Sequence, residues 1–389
     1  MTLFFELLQV AIGNRKSLSA IPTVSEWKQI FQLCHKHSLL GIGFCGMRIL
    51  PDEQLPPKEL MFRWTAQADL MLQNNAFMNQ ECERLCQKLQ SEGMEGRVIK
   101  GQSNYLYYPS VPVSSDPAET ETESLGSYRT PGDIDVLTRP ADHKQCVRRV
   151  IEYCLNEASQ NGRTVHHTFY HDTELCWKGE SEVEAHYRAI WLNAPWRNAV
   201  LQRWLKQESQ WTREEVEVEG SRFYVATVEF NVIYHLLHVF KHLFEEGIGL
   251  RQLLDYYMVL RAWTLKHRVD IDTARKAQMR LLRRFDCDRF AAAMMFVLQQ
   301  VFALPDEYLL CKPDEDRGAF LLEEVLRAGN FGHFDERLVG HREYVTLWHA
   351  WDKLGRNMKY VTQYPEEVLG EPLFSIYHWC WRTFRLWRF

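Results

Sequence analysis

The chain has 389 residues, enough to bury a substantial core and longer than one typical domain, so two or three packed units are expected. Its 46 Lys and Arg against 51 Asp and Glu leave a net charge of -5, which supplies no general positive field for a nucleic-acid backbone and leaves only a local basic patch open. Ten cysteines without a Cys-x-x-Cys pair, only Cys82 and Cys86 lying close, argue against clustered metal ligation and fit a reducing cytoplasm.

From residue 1 to about 92 the pattern is helical. The opening MTLFFELLQVAIGNRK carries Glu6, has no positive first segment and no small-residue cleavage site, and reads as an ordinary helix instead of a secretion signal. The region closes where Cys82, Leu85, Cys86 and Leu89 share one helical face and Gly93 acts as a stop. RVIK, 97–100, reads as a short buried strand broken by Gly101, and GQSNYLYY as a tight turn opening another helix. Between Pro109 and Arg129 a run rich in Ser, Thr, Glu and Pro predicts a mobile surface loop.

The stretch RTPGDIDVLTRP, 129–140, carries the most informative pattern. Side chains two apart in an extended chain face the same way, so Asp133 and Asp135 aim together while Ile134 and Val136 turn to the other face. Two like charges side by side repel, and the arrangement becomes favourable when a hard divalent cation sits between them. Pro140 then marks the first turn of a helix whose apolar face is Val147, Val150, Ile151, Cys154 and Leu155, ended by Asn161 and Gly162. Three extended segments follow, TVHHTFYH, ELCW and SEVEAHYRAIW; in the last, Val183, Ala185 and Tyr187 alternate with Glu184, His186 and Arg188.

A strand pair near EVEVEGSRFYVAT closes this middle region, and the pattern is helical again from Val228. The order predicts an α+β chain: a helical region over 1–92, a core with a small mixed sheet and flanking helices over 93–227, and a helical domain over 228–389. The longest apolar run, FAAAMMFVL from Phe290, is too short to span a bilayer, so a soluble protein is expected.

Three pieces of the middle region converge: VIKGQS at a strand-to-helix turn, GDIDVL on a second strand and VEAHYR on a third. Together they resemble the DNA polymerase beta-like nucleotidyltransferase superfamily, and within it the bacterial branch of uncharacterised nucleotidyltransferases, over roughly residues 25–260. The resemblance implies transfer of a nucleoside monophosphate from a nucleoside triphosphate such as ATP to an acceptor, with Mg2+, or Mn2+ in its place, and with pyrophosphate released. It makes Asp133, Asp135 and Glu184 the catalytic, metal-holding carboxylates. Lys100, Gly101, Ser103, Arg129 and Gly132 become the nucleotide-binding set, and His186 and Arg188, on the face of Glu184, contacts to acceptor or phosphate. Three departures stand out: the turn reads Gly-Gln-Ser, the acidic loop lengthens the gap from Gly101 to Asp133, and no acceptor-recognition motif is present. The acceptor stays open among small molecule, sugar and protein, with nucleic acid not indicated by the charge balance.

Other readings of the same residues stay open. Asp-x-Asp also serves metal-dependent glycosyltransferases, and a non-catalytic nucleotide-binding protein would keep the same fold; the Lys-Gly turn ahead of the aspartates favours the first reading. His235, His238 and His242 fall on one helical side, but without an intervening Glu a buried histidine stripe suits them better than zinc. Arg251 and Asp255, at i and i+4, suit a helix-surface ion pair at least as well as a substrate contact. The tail interleaves Arg382, Arg385 and Arg388 with Trp379, Trp381, Phe384, Trp387 and Phe389, predicting a docked helix with its arginines outward, or else a membrane-surface or partner-binding helix.

Overall fold

A computed structural model describes residues 1–114, 121–179, 181–245, 247–329, 355 and 357–388. The middle of the predicted acidic loop, 115–120, and Phe389 lie outside the described residues. The first quarter of the chain forms α1 (Thr2–Ala11), α2 (Val24–Lys36), α3 (Leu40–Arg48) and the long α4 (Lys58–Ser91). α1 buries Phe4, Leu7 and Leu8, as an ordinary helix should. α2 starts at Thr23, whose hydroxyl accepts from the Glu26 amide at 3.3 Å while Glu26 accepts from the Thr23 amide at 2.8 Å, satisfying two otherwise orphaned groups. Gly93, at φ +71°, ends α4 as expected.

The strands are β1 (Met94–Val98), β2 (Ser110–Pro112), β3 (Thr122–Ser124), β4 (Ile134–Pro140), β5 (Asp172–Glu174), β6 (Val183–His186), β7 (Arg213–Val218) and β8 (Ser221–Ala226). Six of them make one mixed sheet in the order β5-β6-β4-β1-β8-β7, in which β4 runs antiparallel to β1 and parallel to β6. β2 and β3 pair as a separate small ribbon within the region expected to be loop. On one face of the main sheet Val98, Ile134, Val136, Val183, Ala185 and Val225 share a core with Cys82, Leu85 and Leu89 of α4 and with Val150, Ile151 and Cys154 of α5 (Cys146–Gln160).

α6 (Pro195–Leu205), α7 (Val228–Glu245), α8 (Leu250–Lys266), α9 (Ile271–Arg284), α10 (Asp288–Phe302) and α11 (Glu315–Ala328) complete the numbered helices, with a further helix over Pro365–Thr383. Helices from both ends of the chain share a second core, in which Phe4, Ile42 and Trp64 join Tyr234, Leu254 and Met294. Among the described residues no helix is long and apolar enough to cross a membrane.

Some local expectations are corrected. Pro140 closes β4 opposite Met94, an end position where its missing N–H is tolerated, and the helix begins later, at Cys146. GQSNYLYY forms a 3-10 helix over Gly101–Tyr107. TVHHTFYH contributes only an isolated bridge between Thr168 and Thr173. The final helix docks through Phe374 and Trp381, whose rings lie 5.5 Å and 6.0 Å from that of Tyr170, and through Glu367, which accepts from the Asn193 amide at 2.7 Å and the Ala194 amide at 3.3 Å. Leu369, Leu373, Ile376, Trp379 and Phe384 stay exposed beside Arg382 and Arg385.

This division of the helix into a docked and an open side predicts unequal costs. Trp381→Ala should lower stability in a urea titration by about 3 kcal/mol, and Trp379→Ala by less than about 0.5 kcal/mol.

Candidate active site

The site is built by strand register. Parallel pairing sets Asp135 beside Glu184 and Leu137 beside His186, and partners in a parallel pair project to one face, so Asp135, Glu184 and His186 emerge together. The flanking Ile134, Val136, Val183 and Ala185 point into the opposite core and leave this face no freedom to invert. His186 Nε2 lies 2.8 Å from Asp135 Oδ1 and 3.4 Å from Glu184 Oε2. Lys100, just past the end of β1, brings its Nζ to 2.5 Å from the same Asp135 oxygen. Asp135 and His186 are buried, the Glu184 side chain is about a third open, and Asp133 stands at the exposed rim where the chain enters β4.

Burial alone would raise the Asp135 carboxyl, but the Lys100 charge and the His186 contact hold it well below the usual range. Burial would lower the His186 imidazole, and its bonds to Asp135 and Glu184 instead push it up to about 10, so it is an imidazolium at neutral pH. Burial also opposes the charge on Lys100, and Asp135, Tyr234, Asp133 and Glu184 together outweigh it. Asp133 is raised to about 6, chiefly by the charge of Asp135. That repulsion is what a bound cation would remove. Asp135, Glu184 and His186 each offer a ligand atom within 4.8 Å of the other two, a group that does not include Asp133, and its two carboxylates are the oxygen donors that fit a hard divalent ion.

Gly101 turns beside this cluster at φ +59°, a backbone conformation that side-chain-bearing residues rarely adopt, and a Cβ there would lie 3.5 Å from the Asp133 carbonyl. Ser103 is fully buried, and its hydroxyl has no hydrogen-bond partner among the described residues. Two asparagines of α4 fix the loops. Gln102 donates to Asn79 Oδ1 at 2.5 Å, while Asn75 donates to the carbonyls of Ser127 and Arg129, both at 2.8 Å.

Arg129 donates through Nε and Nη2 to the two oxygens of Asp255 at 2.7 and 2.8 Å and through Nη1 to the Thr130 carbonyl at 3.2 Å. Tyr108 adds a hydroxyl donation to Asp255 at 2.8 Å. The surface pair expected between Arg251 and Asp255 is therefore corrected: α8 is a core helix, both residues are buried, Asp255 is paired with Arg129, and Arg251 donates to the Thr130 carbonyl at 3.0 Å. Gly132 is exposed, and a Cβ on it would lie 3.8 Å from Arg251 Nη1.

Lys100, Asp133, Asp135, Glu184 and His186 thus gather around the Gly101 turn, and Arg129 and Gly132 belong to the loop that feeds Asp133. Arg188 does not join them: its guanidinium lies 4.1 Å over the Tyr170 ring and donates to the Tyr170 carbonyl. His238 and His242 meet at 3.0 Å, but among the described residues the three helical histidines do not converge as metal ligands. Sequence reasoning missed Asn75, Asn79 and Tyr108 as supports, and His171 and Asp172, which lie beside His186. Only the alternation around His186 hinted at a neighbouring strand, and β5, Asp172–Glu174, is too short to show a pattern of its own.

The mixed sheet offers carboxylates from adjacent strands beside a glycine turn, and the class of the chain, the nucleotidyltransferases, is shown by its family. The family model described as "uncharacterised nucleotidyltransferase" matches residues 23–114 and 125–303, and the chain belongs to that family. The crystal structure of an antigenic nucleotidyltransferase-like protein from Paracoccidioides brasiliensis is similar at 16% identity, covering 47% of this chain and 75% of that one with a TM-score of 0.29. No curated protein matches the chain.

Two outcomes follow from the electrostatics. Asp255→Ala leaves Arg129 charged and buried without its partner, and should cost about 3–5 kcal/mol in denaturant titrations. Because the folded state keeps the Asp133 proton up to about pH 6 while the unfolded chain releases it near 3.8, wild-type stability falls as pH rises through that window. Asp133→Asn should therefore be the more stable protein above pH 6 in chelator-treated buffer, by about 1 kcal/mol after solvent screening, with the difference gone below about pH 4.

Proposed function

We propose that the protein transfers a nucleoside monophosphate from a nucleoside triphosphate, ATP being the first to test, to an acceptor hydroxyl with release of pyrophosphate. The observation that carries this reading is the register that pairs Asp135 with Glu184 beside Asp133 and the Gly101 turn. Asp133, Asp135 and Glu184 would hold Mg2+, with Mn2+ as a substitute. Bound there, divalent ions offset the charge that spreads over the phosphate oxygens and acidify the acceptor hydroxyl.

The chain's own groups divide the remaining work. The turn at Gly101 would let the backbone approach the phosphates, and the Ser103 hydroxyl, which has no partner among the described residues, would donate to them. Lys100 adds positive charge next to Asp135. Glu184, the most open of the paired groups, is the residue able to accept the acceptor's proton. His186 is already an imidazolium, so it neutralises and orients Asp135 and is not the base. Arg129, with Nε, Nη1 and Nη2 each donating once to Asp255 or Thr130, holds the loop before β4 and acts as a positioning residue. The acceptor class stays among small molecules, sugars and proteins, and the net charge of -5 argues against a nucleic acid. Ten free cysteines suit a reducing cytoplasm.

The test is pyrophosphate release from each nucleoside triphosphate with Mg2+, using cell extract as the acceptor source. Wild type should turn over, and Asp135→Asn and Glu184→Gln should each be slower by about a thousandfold or more. Equal release by wild type and both variants would remove the reading.

A further inference from the structure

Behind the carboxylate cluster lies a second group of ligating side chains. His171, Asp172 and His186 each offer a ligand atom within 4.8 Å of the other two. Antiparallel pairing of β5 with β6 sets Asp172 directly against His186, and His171, one residue earlier, is braced against the Trp191 ring at a centroid distance of 4.0 Å.

Each of the three has one polar atom engaged and one idle. His186 Nε2 faces Asp135, and its Nδ1 is buried without a partner among the described residues. Asp172 Oδ2 lies 3.0 Å from His171 Nε2, while Asp172 Oδ1 and His171 Nδ1 are buried and likewise unpartnered among the described residues. Asp172 and His186 are each only 2% exposed, so bulk water does not compensate them. A buried polar atom left unsatisfied costs on the order of 1–3 kcal/mol, and three on adjoining residues of one sheet edge call for an occupant.

We propose that His171, Asp172 and His186 hold a zinc-class divalent ion, separate from the carboxylate site. Two imidazoles and one carboxylate form a borderline-soft donor set that suits Zn2+, whereas Mg2+ favours oxygen alone. Asp135 is the outer partner. It accepts from His186 Nε2, so that when the ion displaces the proton carried by Nδ1 in the metal-free protein the freed Nδ1 faces the ion, the way ligating histidines are commonly oriented by a carboxylate. The ion ties the edge strand β5 to β6 and holds the imidazole that sits against Asp135.

The experiment uses the full chain, stripped with a chelator, given one equivalent of Zn2+ and desalted, with retained zinc measured by elemental analysis. Wild type, Asp133→Asn and Glu184→Gln should each retain about one zinc per chain, while His171→Ala and Asp172→Asn should bind at least about tenfold more weakly. Asp172→Asn preserves shape, and apo melting curves show whether either variant is folded. The wild type alone gives a second measurement, since Co2+ at this site should show the intense visible bands of a four-coordinate, nitrogen-bearing complex.

No zinc retained by wild type, full retention by both His171→Ala and Asp172→Asn, or absent cobalt bands would overturn the proposal. So would loss in Glu184→Gln with retention in Asp172→Asn, which would put the ion among the carboxylates. None of these readouts involves nucleotide turnover, so they stand apart from the test of nucleotidyl transfer.

Discussion

The parallel pairing of β4 with β6 is the constraint on which the rest depends. It brings Asp135 and Glu184 side by side on one face, an arrangement that mutual repulsion would disfavour. What enforces it is the other face, where Ile134, Val136, Val183 and Ala185 are packed against α4 and α5. A slip of one residue would put Glu184 into that apolar layer and turn alanine and valine toward the site, at the cost of both. The acidic geometry is thus secured by hydrophobic burial, and Lys100 and His186 then balance its charge.

Support from farther away is polar and buried. Arg129 and Asp255 are 126 residues apart in the chain yet meet in a two-pronged ion pair. That pair joins the loop feeding Asp133 to α8, in the core shared by helices of both chain ends. Removing one partner strands a charge in a low-dielectric setting, which makes the contact a condition for this loop's path more than a source of net stability.

The meeting of Asp135 with Glu184 was legible because each lies in a local pattern: Asp133 and Asp135 two apart beside Gly132, and Glu184 in an alternating strand. The α+β class and the helical flanks were readable for the same reason, since periodicity reports which face a segment buries. What escaped depends on distant partners. Arg251 and Asp255 have the spacing of a surface pair, and nothing nearby in the chain reveals that Asp255 is claimed by Arg129. Pro140 suits a helix start or a strand end equally, and pairing with Met94 decided it. His171 and Asp172 lie at a strand of three residues, too short for an alternating pattern, and only the fold sets them against His186.

The two asparagines of α4 carry a mechanical consequence. Asn79 holds the segment after Gly101 through Gln102, and Asn75 holds the Ser127 and Arg129 carbonyls. Four positions apart, they sit one above the other on a single rigid rod, so the spacing between the two loops they grip is set by one helical turn, about 5–6 Å. A tilt or slide of that rod would carry both loops as a unit, preserving their mutual alignment.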